Sequence, residues 1–148
     1  MARPEKARKV FEPPVFKCFK PAGVRKGVLE TVTFSLDEYE SIRLADFQGL
    51  EHSEAAEKMF ISRPTFTRLI SKARKKLADM LINGKVLQIE GGSVHFAQNK
   101  IKCLKCGNIF PDKLNQIDYI CPQCGSKQFE DMAKGFGHGR CCGRKFKQ

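Results

Sequence analysis

Two Cys-x-x-Cys pairs, Cys103/Cys106 and Cys121/Cys124, stand on either side of residues 107–120, and each is followed by a glycine, Gly107 or Gly125. No other feature limits the fold as strongly. Each pair presents two thiolates on one tight turn, and the glycine eases backbone approach so that amide N–H groups can face sulfur. Two such knuckles complete a tetrahedral four-cysteine shell for a metal ion. A closed shell leaves no position for water, so the metal is expected to be structural. Iron can use similar knuckles. Zinc is favoured, because so short a unit cannot easily build the aromatic shell of an electron-transfer iron. With little core of its own, the stretch 101–130 should unfold without metal.

The remaining cysteines carry less information. The total of seven is odd, and the N-terminal MARPEKARKVFEPP lacks the apolar core of a signal peptide. Both points favour metal in a reducing cytoplasm over disulfides. Cys18 reads as an ordinary thiol. His138, Cys141 and Cys142 form a weaker cluster in a Gly-rich tail, where adjacent cysteines are awkward ligands for one ion. The favoured reading there is an incidental tail, and a loose metal or redox site is the alternative. His52 and His95 have no ligand partners nearby in sequence and receive no role.

Charge is distributed in blocks. Residues 1–27 carry eight basic and two acidic side chains, residues 28–61 two and eight, and residues 62–85 seven and one. The pattern suits a basic arm, an acidic scaffold and a basic reading helix. No apolar run is long enough to cross a bilayer. No nucleotide-binding glycine loop and no acid/base pairing suggests catalysis, so an enzyme is not expected.

Residues 1–27, with four prolines, read as an arm. A short strand is expected over 28–34. Ser35 and Glu38 form a capping box opening a helix to about Gln48, which Gly49 can end. A second helix covers about 52–60. Ser62 caps a third over 62–82, with Pro64 tolerated in its first turn. VLQIE-GG-SVHFA (86–97) predicts a hairpin over a Gly-Gly turn, with Leu87 opposite Phe96 and Ile89 opposite Val94. Residues 28–97 thus form the first domain and 101–130 the four-cysteine module. The stretch 131–148 reads as a flexible Gly/Arg-rich tail.

On the third helix Phe66, Leu69, Ile70, Ala73 and Leu77 share one stripe, and basic residues crowd the opposite side. A basic face alone is usually just solvated. Its neighbour shifts the reading: a short helix with small Ala55 and Ala56, then a turn with apolar Ile61, makes a helix-turn-helix layout. The residues assigned to DNA are Arg63, Thr65, Thr67, Arg68, Ser71, Lys72 and Lys75. Those near the N-terminal half would read base edges, and the remaining cations would neutralise phosphates.

The segment EAAEKMFISRPTFTRLISKARKKLAD (54–79) resembles region four of bacterial sigma factors. More specifically, residues 1–92 resemble the prokaryotic domain-of-unknown-function 134 family of predicted DNA-binding proteins. The motifs are ARPEKARKV (2–10), FKPAG (19–23), LDEYESIRLAD (36–46), SRPTFTR (62–68), ARKKLAD (73–79) and LQIEGG (87–92). The cysteine pairs resemble a zinc ribbon. Two departures stand out: Phe60 occupies a turn position where Gly is common, and Glu51 one where a better cap is expected. The expected fold is a mainly α helix-turn-helix domain with a short β-hairpin, plus a small β-rich zinc ribbon. The expected function is sequence-specific binding of double-stranded DNA in transcription regulation. An RNA- or ribosome-associated role is the alternative, as is an adaptor touching the transcription machinery through the ribbon. A homodimer would extend the few base pairs one such motif reads, but no heptad seam specifies it.

Overall fold

Two serines start the long helices. In the computed structural model, which describes residues 6–112, 119–138, 141 and 142, the Ser35 hydroxyl accepts from the Glu38 N–H and opens α1 (Leu36–Ile42). Arg43–Phe47 continues the helix with a wider π winding, closed by a bond from the Gln48 N–H to the Arg43 carbonyl (2.9 Å). The expected helix is therefore present, but its last part is not α-helical. α2 (His52–Met59) starts at Glu51 with no side-chain cap. It ends at Phe60, which sits in the left-handed region at φ 60°, ψ 39°. Among the described residues no other non-glycine has positive φ. Ser62 accepts from the Thr65 N–H and opens α3 (Arg63–Asn83), which Gly84 ends at φ 65°.

The chain divides into two compact units, Met1–Lys9 with Phe16–Val94, and Val10–Val15 with His95–Gln148. In the first, Leu44, Ala55, Ala56, Met59, Phe66, Leu69 and Ile70 form one buried cluster, with Leu50 and Ile61 packed against it. Ala73 is also buried, while Leu77 is half-buried. Phe66, Leu69 and Ile70 of the stripe read on α3 thus pack in one cluster with Leu44 and with Ala55, Ala56 and Met59 of α2. The acidic α1 is largely buried too, and buried carboxylates need cationic partners. Glu38 receives Lys76 Nζ at 2.8 Å, Asp37 pairs with Arg8, and Glu40 pairs with Arg43.

Five short strands flank the helices: β1 (Arg8–Val10), β2 (Cys18–Phe19) and β3 (Thr31–Phe34) before them, β4 (Val86–Ile89) and β5 (Val94–Phe96) after. The hairpin expected over 86–97 does not form. β4 is instead the centre of a three-stranded sheet, parallel to β3 (Thr31↔Val86, Phe34↔Ile89) and antiparallel to β2 (Cys18↔Gln88). β5 lies beside β1. The reason is a competition between partners. A parallel pair needs a long crossover, and α1–α3 supply it, so β4 finds β3 across the helices and not its sequence neighbour. Val86, Leu87 and Ile89 are all buried, as in a covered central strand. Gly91 and Gly92 do have positive φ, 76° and 98°. They swing the chain past α1, where the Leu36 N–H donates to the Gly91 carbonyl at 3.0 Å.

The second unit is built on β6 (Asn99–Cys103), flanked antiparallel by β7 (Ile109–Asp112) and β8 (Phe129–Asp131). Ile101 is fully buried, and Phe129 carries Phe110 and Tyr119 edge-on at 6.1 and 5.6 Å. Buried Asn99 acts as a bracket. It donates to Asp131 at 2.7 Å, and its carbonyl accepts from the Ala133 N–H at 3.0 Å. The stretch expected to be a flexible tail thus begins as structure, with Met132 and Ala133 buried and a 3-10 turn at Lys134–Phe136. Residues 139, 140 and 143–148 of that expected tail lie outside the described residues.

Candidate metal centre and candidate nucleic-acid interface

β6 ends at Cys103, so the first knuckle is launched directly from the sheet. The two knuckles are wired alike. The Cys103 N–H donates to the Asn108 carbonyl (2.8 Å) and the Gly107 N–H to the Cys103 carbonyl (3.0 Å). In the second, the Cys121 N–H donates to Ser126 (3.0 Å) and the Gly125 N–H to Cys121 (2.9 Å). Gly107 and Gly125 sit at φ 77° and 75°, a conformation that Cβ-bearing residues resist. The turns bring Cys103 Sγ to 3.5 Å from Cys124 Sγ and Cys106 Sγ to 3.6 Å from Cys121 Sγ. All four sulfurs lie within 4.8 Å of one another.

Such crowding divides the thiols. The Cys106 N–H, 3.5 Å from Cys103 Sγ, is the largest influence that lowers the Cys103 pKa. At Cys121 burial opposes ionisation, but the N–H groups of Cys124 and Gln123 and two neighbouring thiols outweigh it and bring the pKa to about 6. At Cys106 the Asn108 N–H favours the thiolate, yet burial and the three other sulfurs push the pKa up to about 12. Four thiolates cannot coexist at this spacing unless a cation sits among them. The donor set therefore fits a thiophilic divalent ion in tetrahedral coordination.

The residues assigned to DNA lie along α3. Arg63, Thr67, Arg68, Ser71, Lys72 and Lys75 are exposed, and Thr65 is half-buried. Two are also engaged within the scaffold: the Thr65 hydroxyl meets that of Ser62 at 2.8 Å, and Thr67 Oγ1 lies 3.1 Å from His52 Nδ1. His52, given no role from sequence, thus ties the start of α2 to α3, its ring edge-on to Phe66 at 5.3 Å.

The basic residues of α3 fall into two sets. Arg74 grips Asp46 with two hydrogen bonds (2.6 and 3.1 Å) and holds that carboxyl below its ordinary pKa. Lys76 is spent on Glu38 and the Thr33 carbonyl. Arg63, Arg68, Lys72 and Lys75 have no carboxylate partner among the described residues. In the arm, Arg8 is bound to Asp37, and Lys9 lies over the Phe60 ring at 5.3 Å. Both of these cations of the expected basic arm are thus engaged within the first unit. Arg3 lies outside the described residues.

His95 was missed. It joins His138, Cys141 and Cys142 in a second group whose ligand atoms lie within 4.8 Å of one another. The signal in sequence was incomplete, since only the His138–Cys142 stretch is local. No helix among the described residues is long and apolar enough to cross a membrane.

The model of the family described as protein of unknown function DUF134 matches residues 1–97. A UPF0251 protein of Chloroherpeton thalassium is 50% identical over 143 residues, covering 95% of each chain. A UPF0251 protein of Moorella thermoacetica is 41% identical over 141 residues, 95% of this chain and 93% of its own. One of Pelotomaculum thermopropionicum is 43% identical over 126 residues, 85% of this chain and 95% of its own. No solved structure gives a significant match.

Proposed function

This chain belongs to the DUF134 family of proteins of unknown function, and we propose that it is a sequence-specific double-stranded DNA-binding protein that regulates transcription. One observation carries the reading. On α3, Arg63, Arg68, Lys72 and Lys75 are exposed and free of carboxylate partners among the described residues, although the acidic α1 engages Lys76 and Asp46 engages Arg74. A merely solvated basic helix beside so many acids has no reason to keep its cations sorted in this way.

In this reading α3 enters a major groove. Arg63, Thr67 and Arg68 face base edges, with Ser71 and Lys72 behind them and Thr65 at the rim. Lys75 lies on phosphate, where it releases counterions and adds affinity without sequence information. Cys103, Cys106, Cys121 and Cys124 hold one structural zinc, which organises the second unit and takes no part in catalysis. The protein works as a cytoplasmic binder, not as an enzyme.

Duplex titrations at two salt concentrations test this. Arg68→Ala should weaken specific binding by about 1–3 kcal/mol and relax preference at one base position. Lys75→Ala should weaken all duplexes alike and reduce the salt slope by about one. Unchanged affinity of both variants at both salt concentrations rejects the reading. Tighter binding to structured RNA of equal length would replace it with an RNA-associated role.

A further inference from the structure

His95, His138, Cys141 and Cys142 come from three places in the second unit. His95 lies in β5, His138 follows the 3-10 turn at Lys134–Phe136, and the two cysteines lie beyond it. His138 Nδ1 is 3.5 Å from Cys141 Sγ and 3.5 Å from Cys142 Sγ. The two sulfurs are 3.8 Å apart, and His95 Nδ1 is 3.7 Å from Cys142 Sγ. These separations can be compared with the edges of a coordination tetrahedron. Metal–sulfur bonds of about 2.3 Å and metal–nitrogen bonds of about 2.0–2.1 Å require S···S edges of about 3.8 Å and S···N edges of about 3.5 Å. The four measured edges match. Ordinary hydrogen bonding needs donors and acceptors only in pairs, and does not draw two sulfurs and two imidazole nitrogens around one point.

The surroundings support the same arrangement. The Phe96 N–H donates to Cys142 Sγ at 3.2 Å and fixes the direction of that sulfur. Gly137 at φ 80° turns the chain into His138, whose own N–H is held by the Ala133 carbonyl at 3.0 Å. Ala133 is in turn fixed to β6 by Asn99. Phe96 and His95 pack edge-on against the His138 ring at 5.2 and 5.8 Å. Outer contacts of this kind orient ligands in metal sites.

We infer that His95, His138, Cys141 and Cys142 form a second metal site, separate from the four-cysteine centre, that takes a divalent zinc-type ion with two nitrogens and two sulfurs. The adjacency of Cys141 and Cys142, awkward on paper, is resolved by the backbone: Cys142 is buried and Cys141 is exposed, and both sulfurs reach the same point. The exposed Cys141 leaves one side of the site open to solvent. Loading of the site ties His138, Cys141 and Cys142 to His95 of β5. The inference is independent of DNA binding, since it uses no residue of α3.

The test is a cobalt(II) titration of the full reduced chain stripped of metal, followed by absorption spectroscopy. Wild type should take up two equivalents. Sulfur-to-cobalt charge-transfer absorption should be stronger for the four-sulfur centre than for the two-sulfur one. The double variant Cys141→Ser/His138→Gln should take up one equivalent and keep the four-sulfur spectrum. His95→Gln, which leaves both cysteines in place, should likewise lose or weaken the second uptake. Retention of the four-sulfur cobalt spectrum checks that the second unit of each variant is folded. A single equivalent in wild type overturns the inference, and so do two equivalents with unaltered spectra in the double variant.

Discussion

In the first unit Phe66, Met59, Leu44 and Ile70 close on one another as a continuous apolar cluster. In the second, the most centrally placed cysteines, Cys103 and Cys121, bring thiols together where a larger domain would put hydrocarbon. The difference follows from size. α1–α3 supply enough apolar surface to offset the entropy of ordering them, while three short strands do not. One unit should therefore be insensitive to chelators and sensitive to cavities, and the other the reverse.

The largest effect should come from removing a knuckle ligand. Structural zinc in small domains contributes about 10–16 kcal/mol of apparent folding free energy near neutral pH. Cys121→Ser should release the ion and abolish protection of β6–β8 amides in hydrogen exchange, while α1–α3 keep their protection. Because ligands must shed protons to bind, the ion should also leave as pH falls, never as it rises. Loss of helical protection in the variant would break the comparison.

Phe66→Ala probes the other side. Emptying this fully buried position should cost about 3–5 kcal/mol. It should lower the melting transition of the helices and leave cobalt or zinc content unchanged. If metal content falls with helix stability, the two units do not stabilise themselves separately.

The smallest effect sharpens the contrast within the helical unit. Phe60 holds a left-handed conformation that costs most L-residues about 1–2 kcal/mol, yet the residue is 56% exposed. Phe60→Gly should relieve that strain, against the greater freedom glycine has when unfolded and the loss of the Lys9 contact. A net gain of up to about 1 kcal/mol is expected in denaturant melts. A loss would show that the Lys9–Phe60 contact outweighs backbone strain.

What could be read in the residue order was what acts over one turn. Ser35 and Ser62 cap helices because the bond they make is three residues long. The knuckles were legible for the same reason, and Phe60 announced itself by standing where glycine is usual. β4 was misread because its partners, β2 and β3, lie across three helices, and alternation inside 86–97 fitted a nearer partner equally well. His95 was passed over because its neighbours His138 and Cys142 are brought to it only by the fold. The charge blocks were visible, but not their division. Only the placement of α1 and of the π segment after it distinguishes Lys76 and Arg74, which are engaged, from Arg68 and Lys75.

The parallel pairing of β3 with β4 bears on how the first unit is made. Thr31 and Val86 meet only after the chain between them has been gathered, so loop-closure entropy falls on one late contact and not on a series of early ones. Helices can form on local contacts, whereas the β3–β4 pair should form only once Val86 is brought back to Thr31. Pulling or breathing at either end of α3 must then be felt at the strand pair, because Gly84 passes the helix almost directly into Val86. The helix is in effect clamped at its far end by a bond that the protein can close only once it is nearly folded, and the amides of β3, β4 and the last turns of α3 should open together as a single slow event.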